Sequence, residues 1–246
     1  MPIEINSEIK ELSQSEFSEV SYRVMAEIFR QRRELGRLFS ENVYRQALKA
    51  TLNNIETEVE IKVSLHGFCK SYFIDIVASS GALFELKAVE SLHQRHRKQL
   101  LHYLFLTGLK HGKLVNVRPE IVEHEFINTS LTNAARRAFS IQDSEWTASQ
   151  GFGPPEKALM IEIVADWGIG LERTLYEEAL FHFLGIGENS TSNVDVILDG
   201  QIITSQPTAL CSPGTALKIT AFEDNTAVYE SALTQFLSKT SLGTIQ

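Results

Sequence analysis

The stretch "YFIDIVASSGALFELKAV", residues 72–89, decides how this chain is read. Two apolar runs flank Ser79-Ser80-Gly81, a turn composition, so the segment reads as two neighbouring strands. Each run carries charge where a buried strand should carry none. Asp75 stands among Phe73, Ile74, Ile76 and Val77, and Glu85 and Lys87 interrupt Ala82–Ala88. Side chains alternate across a strand, so Glu85 and Lys87 share one face while Phe84, Leu86 and Ala88 share the other. Antiparallel pairing around the turn brings Asp75 beside Glu85. A lone Glu-x-Lys reads most simply as a local ion pair, because burying a carboxylate is costly unless it is paired. Two adjacent carboxylates repel, and a divalent cation relieves that repulsion.

Working outward, "EVSYRVMAEIFRQRRELG" has helical spacing through Val20, Val24, Ile28 and Leu35, and Ser40 reads as the N-cap of a second helix, "SENVYRQALKATLNN". Strands are expected at "EVEIKVSL", "KSYFIDIVAS" and "ALFELKAV", then a helix at "HRKQLLHYLFLTG" and a strand at "KLVNVRP". The order is helix, three strands, helix, strand. It recurs downstream: "GIGLERTLYEEALFHFLG", "NVDVIL", "QIITSQPTAL", "ALKITAF", "AVYESALTQFLSK" and "GTIQ". Gly67 and Gly200, Gly81 and Gly214, and Leu104 and Leu237 match at one constant spacing, and Tyr44 and Tyr176 at one residue less, which points to a tandem duplication. The linker is then "SIQDSEWTASQGFGPPEKA", and the domains are 1–145 and 146–246.

Composition narrows the function classes. The chain of 246 residues is 43% hydrophobic and has two cysteines, Cys69 and Cys211, too few for a disulfide framework or a structural zinc site. It has no run of apolar residues long enough to span a bilayer, and its start is acidic where a secretory signal is basic, so a soluble cytoplasmic protein with no membrane partner is expected. Residues 1–145 hold 19 basic and 19 acidic side chains, whereas residues 146–246 hold 4 and 12 and carry the whole net charge of -8. Within residues 20–118 there are 16 basic and 9 acidic side chains, so a polyanion is met there if anywhere.

An acid pair with a neighbouring lysine suits phosphodiester hydrolysis, in which a metal binds a non-bridging oxygen and acidifies water. The ordered set Glu41-x-x-Tyr44, Asp75, Glu85-x-Lys87 and His96-x-x-Gln99 resembles the PD-(D/E)XK nuclease superfamily and, more narrowly, its GxxExxY family, over about residues 20–118. The resemblance implies an α/β, restriction-endonuclease-like αβββαβ core and a metal-dependent nuclease acting on DNA or RNA with Mg²⁺ or Mn²⁺. Asp75 and Glu85 would be the principal metal ligands, with Glu41 completing the shell directly or through water. Lys87 would serve the attacking water, and Gln99 would approach from the later helix. The glycine that names the motif is replaced by Leu38, with Gly36 two positions earlier.

Tyr44 lies on the helical face of Glu41 and either bonds a ligand or packs. Arg95, His96, Arg97 and Lys98, and also Arg32, Arg33 and Arg37, either contact phosphates or form solvated helix faces. In the second copy Glu41, Asp75, Glu85, Lys87 and Gln99 correspond to Arg173, Thr208, Lys218, Thr220 and Ala232, so every acid is lost. That copy is expected to be structural or partner-docking, within an intrachain pseudo-dimer or a homodimer. The alternative function is a non-catalytic nucleic-acid-binding or assembly protein of the same fold. Retention of the whole set in one copy beside its loss in the other favours catalysis.

Overall fold

The computed structural model describes residues 3–142, 156–186, 191–220 and 226–245. The chain divides into two compact units, Met1–Arg136 and Arg137–Gln246. In the first, the elements run β1 (Ile3–Ile5), α1 (Gln14–Leu35), α2 (Glu41–Thr51), β2 (Ile55–Leu65), β3 (Phe68–Ala78), β4 (Ala82–Lys87), α3 (Gln94–Thr107), β5 (His111–Asn116) and β6 (Glu123–Asn128), with α4 (Asn133–Arg137) at the boundary. The six strands form one sheet in chain order. Every pairing is antiparallel except β4 with β5, whose parallel connection is made by α3.

Helix α1 begins earlier than its apolar spacing indicates because Ser13 caps it. The Ser13 hydroxyl accepts from the Glu16 amide, and the Glu16 carboxylate accepts from the Ser13 amide at 2.8 Å. Its stripe Phe17, Val20, Val24 and Ile28 packs with Tyr44 and Leu48 of α2 against Ile76, Phe84, Leu86 and Val115. The Phe84 face of β4 is therefore the one under α1 and α2. On the other face, Glu85 is in register with Leu114, and Leu83 with Gly112. Helix α3 covers that face: a Cβ on Gly112 would meet the Leu100 side chain at 3.0 Å.

The β3–β4 turn is pinned from outside. The Lys10 amide donates to the Ser80 carbonyl at 2.8 Å, and the chain from Lys10 to Leu12 runs so close that Gly81 has no room for a side chain.

His102 of α3 is buried and stacks edge-on against Tyr72, with ring centroids 4.5 Å apart. Burial, reinforced by Lys70 and Arg136, pushes its pKa down to about 3. The folded value lies below the unfolded one, so the stability it represents is complete above about pH 6.5 and is lost as pH falls toward the folded value. His102→Phe keeps the ring contact and removes the titration. Urea melts as a function of pH should show the wild type losing about 2 kcal/mol relative to the variant by about pH 5. Parallel pH profiles would refute this.

The second unit runs α5 (Glu156–Trp167), α6 (Arg173–Phe183), β7 (Thr191–Leu198), β8 (Gln201–Ser212), β9 (Thr215–Ala216), α7 (Thr226–Ser238) and β10 (Thr244–Ile245). Its sheet has the order β10-β9-β8-β7. Strands β7, β8 and β9 pair antiparallel, and β10 pairs parallel with β9. Trp167, Leu175, Tyr176, Ala179 and Leu180 are buried where α5 and α6 meet, and Val194, Ala216 and Leu242 form a small core with partly buried Phe236 and Leu237. Helix α5 shortens the expected linker, because Glu156, Lys157 and Ala158 at its end already belong to the helix. Trp146 is outside the described residues. Among the described residues no helix is long and apolar enough to cross a membrane.

Candidate active site

The β3–β4 ladder pairs Ala78 with Ala82, Val77 with Leu83 and Ile76 with Phe84. Beyond Phe84 the backbone amides facing β3 are taken by carboxylates. The Leu86 N–H donates to Asp75 Oδ2 at 2.9 Å, and the Ala88 N–H donates to Glu41 Oε1 at 2.8 Å. The two acids thus bracket Lys87 along one edge of β4, fixed by groups that cannot rotate away. Glu41 reaches this edge because it is the first residue of α2, which packs on β4 through Tyr44 and Leu48.

Between these acids lies a buried pair. Lys87 Nζ donates to Glu85 Oε1 at 2.6 Å, and both residues are buried, Glu85 at 1% exposure. Glu85 Oε2 is buried with no hydrogen-bond partner among the described residues. Burial first, then the charge of Asp75, pushes the Glu85 carboxyl up to about 8, against the opposing pull of Lys87. Burial pulls the Lys87 ammonium down, but the Glu85 carboxylate outweighs it and the net direction is up. The common face expected for Glu85 and Lys87 is the one observed.

The segment after Lys87 is clamped from β5. Asn116 receives the Val89 N–H on Oδ1 at 3.1 Å and donates Nδ2 to the Val89 carbonyl at 2.8 Å, while Arg118 Nε donates to the Ala88 carbonyl at 3.3 Å. This fixes the amide that holds Glu41. The sequence signal was faint: a fully buried asparagine at a strand end, where a polar side chain must have bonded partners.

Two further residues escaped the sequence reading. Arg45 Nη1 donates to Asp75 Oδ1 at 2.5 Å, and its Nη2 reaches Glu58 Oε1 at 3.0 Å and Asn42 Oδ1 at 3.2 Å. Glu58 has φ of +54° inside β2, between the pairs Thr57–Ile76 and Val59–Ile74. A non-glycine residue in that region is strained by about 1 kcal/mol. Arg45 follows Glu41 by four positions, one helical turn, which was the available hint that it faces the same way.

The other candidates have definite positions. Tyr44 is buried, and its hydroxyl donates to the Gly36 carbonyl, which commits it to packing the α1–α2 turn. Gln99 Nε2 donates to Tyr103 Oη at 3.1 Å. His96 is buried near the site, where burial, Arg95 and then Lys87 hold its pKa down; its Nδ1 accepts from the His93 amide at 3.0 Å. Arg97 forms a two-pronged ion pair with Glu125, both contacts at 2.6 Å. Arg95 and Lys98 are exposed on α3.

Among the described residues, no three acid, imidazole or thiol side chains stand close enough together to ligate one ion. The donor chemistry nonetheless fits a hard divalent cation: three carboxylates around one strand end and an orphaned buried oxygen on Glu85. Each of the three already has a partner within the protein: Asp75 Oδ1 lies on Arg45, Glu85 Oε1 on Lys87 and Glu41 Oε1 on the Ala88 amide.

Residues 18–128 match a family model described as the PD-(D/E)XK nuclease superfamily. This segment, a little under half of the chain, is a domain of that superfamily, whose members are generally nucleases and typically use divalent metals. No curated protein matches the chain. Among solved structures the chain is similar to one titled "Crystal structure of SSO0001", with 24% identity, a TM-score of 0.31, and coverage of 49% of this chain and 61% of that one. The chain therefore spans less than two thirds of that structure's length.

Proposed function

We propose that the first unit is a divalent-metal-dependent nuclease of the GxxExxY type, hydrolysing phosphodiester bonds of DNA or RNA. The observation that carries this reading is Glu85, a carboxylate inside a sheet with one oxygen on Lys87, the other unpartnered, and two more acids held beside it. A buried ion pair alone has no use for flanking acids, whose charge makes the ionised carboxylate harder to keep. Asp75, Glu85 and Glu41 would hold Mg²⁺ or Mn²⁺. When bound, the ion supplies Lewis acidity toward a phosphate oxygen and acidifies water. Lys87, oriented by Glu85, directs its ammonium at the attacking water or the charge that develops on phosphate. Arg95 and Lys98 are exposed on the helix that covers this face and suit phosphate contacts, as does Arg97 on release from Glu125; Arg95 Nε also donates to His96 Nε2 at 3.2 Å. Gln99 would turn from Tyr103 to reach the site.

The second unit is read as a degenerate copy of the first. The pairs Leu65–Phe68, Val77–Leu83 and Leu83–Gly112 of the first sheet become Leu198–Gln201, Leu210–Ala216 and Ala216–Ile245 in the second, each number higher by 133. The Tyr44 hydroxyl bonded to Gly36 has its counterpart in Tyr176 bonded to Gly168. Arg173 opens α6 as Glu41 opens α2, and it donates to the Ile219 carbonyl where Glu41 accepts from an amide. A cation thus replaces an acid at the strand end, and the copy serves structure or partner docking.

Mn²⁺ at about a hundredfold over its Kd should stabilise the chain by about 2.7 kcal/mol, read as a rise in Tm that chelator reverses. Asp75→Asn, which keeps an oxygen for the Leu86 amide, should abolish the rise. An equal rise in the variant would remove the metal reading. Metal-dependent cleavage of labelled DNA or RNA is expected in parallel; binding without cleavage under any metal would favour the non-catalytic alternative.

A further inference from the structure

We propose that Arg45 is a built-in cation that competes with the divalent metal for Asp75, and that Glu58 is the counter-ion on which Arg45 rests when the metal enters. The inference rests on the metal reading of Asp75 and deepens it. Three observations carry it. Asp75 uses Oδ2 to hold the Leu86 amide, and its other oxygen lies 2.5 Å from the Arg45 guanidinium. An ion approaching Asp75 must therefore displace a bonded cation or share its ligand with one, and two cations at one carboxylate repel strongly.

The second observation is the alternative seat. Arg45 reaches Glu58 at 3.0 Å with the nitrogen that does not touch Asp75, so release from Asp75 leaves the guanidinium with an acid already in contact. Asn42, at 3.2 Å on the same nitrogen, supports that seat. The third is the backbone of Glu58. Its left-handed φ of +54°, in a strand otherwise regular on both sides, puts a carboxylate at a position whose conformation glycine would adopt without strain. The strain is borne at the residue that shares Arg45 with Asp75.

Competition predicts effects of opposite sign at two residues that touch one another. Removing Arg45 frees Oδ1 of Asp75, while Oδ2 keeps the Leu86 amide, and deletes a positive charge beside the ion. Removing the charge of Glu58 leaves Arg45 with Asp75 as its one acid and adds net positive charge. Simple structural damage would weaken metal binding in both variants.

The experiment is calorimetric titration of the full chain with Mn²⁺ at constant pH and ionic strength. Arg45→Met should bind Mn²⁺ about tenfold more tightly than wild type, and Glu58→Gln about threefold more weakly. Arg45→Lys, which keeps the charge, should stay within about threefold of wild type. Asp75→Asn should lose binding in both the wild-type and Arg45→Met backgrounds. If Arg45→Met binds equally or more weakly while Asp75→Asn still abolishes binding, competition is wrong and the metal reading stands. If no variant binds Mn²⁺, or Asp75→Asn leaves binding intact, the metal reading fails and takes the competition with it. Should Arg45→Met not fold, Glu58→Gln binding as tightly as wild type overturns the proposal.

Discussion

Lys87→Ala is expected to lower cleavage of nucleic acid by about 10²-fold or more while leaving the fold intact. The ammonium stands 2.6 Å from Glu85, at the strand end where the three acids gather, and a positioned cation acts chiefly on charge that develops in the transition state. Removing it from a buried pair would ordinarily strand a charge at a cost of several kcal/mol. Here the partner has a way out. The Glu85 carboxyl is already pushed up to about 8 by burial and Asp75 with Lys87 present, and losing Lys87 pushes it further in the same direction. At neutral pH without metal it takes a proton, and no bare carboxylate remains. Initial rates on labelled DNA and RNA, with thermal melts as control, separate the two effects. A variant that cuts at the wild-type rate would take Lys87 out of the chemistry, and one that is unfolded would contradict the protonation argument.

Gly81→Ala should destabilise the first unit by about 3 kcal/mol, a fall in Tm of roughly 10 °C. The added Cβ would lie 2.2 Å from the Lys10 carbonyl oxygen and 2.7 Å from Leu12 Cγ. The first obstacle is backbone, held by the Lys10–Ser80 hydrogen bond, so relief requires the N-terminal crossing or the turn itself to move. Gly214, its counterpart by sequence spacing, supplies the contrast. There the nearest atom to a Cβ is 3.9 Å away, and the objection to a side chain is φ of +75°. Gly214→Ala should cost about 1 kcal/mol. Equal losses in the two variants would mean that the crossing at Gly81 yields more easily than its geometry implies.

The candidate site was legible where its residues violated the pattern around them. Asp75, Glu85 and Lys87 stood out because each interrupted an apolar strand, and the alternation of β4 was enough to put Glu85 and Lys87 on one face. Arg45 broke no pattern: on an amphipathic helix an arginine is ordinary, and the acids it meets lie 13 and 30 residues away in sequence. The hairpin of β3 and β4 was readable because its turn residues sit between two apolar runs. Edge strand β6, "EHEFIN", was not, since an edge strand on a solvated face carries polar residues that look like loop. Helix α5 was hidden for the opposite reason. Its centre, "ALMIEIVA", is apolar at every position but Glu162, so a period of 3.6 leaves little trace. Tyr44 could be assigned to a face but not to a partner, because the carbonyl it bonds lies eight residues earlier, across the α1–α2 turn.

The amide protons of Leu86 and Ala88 each point at one oxygen of a carboxylate rather than at a neighbouring strand. Their resonance positions and solvent-exchange rates therefore follow whatever Asp75 and Glu41 are doing. An amide paired with a neighbouring strand reports whether the ladder is closed. At these two positions it reports the company a side chain keeps. The backbone thus carries a pair of non-perturbing NMR sensors, one on each side of Lys87, in which any change at the Asp75 or Glu41 carboxylate would register.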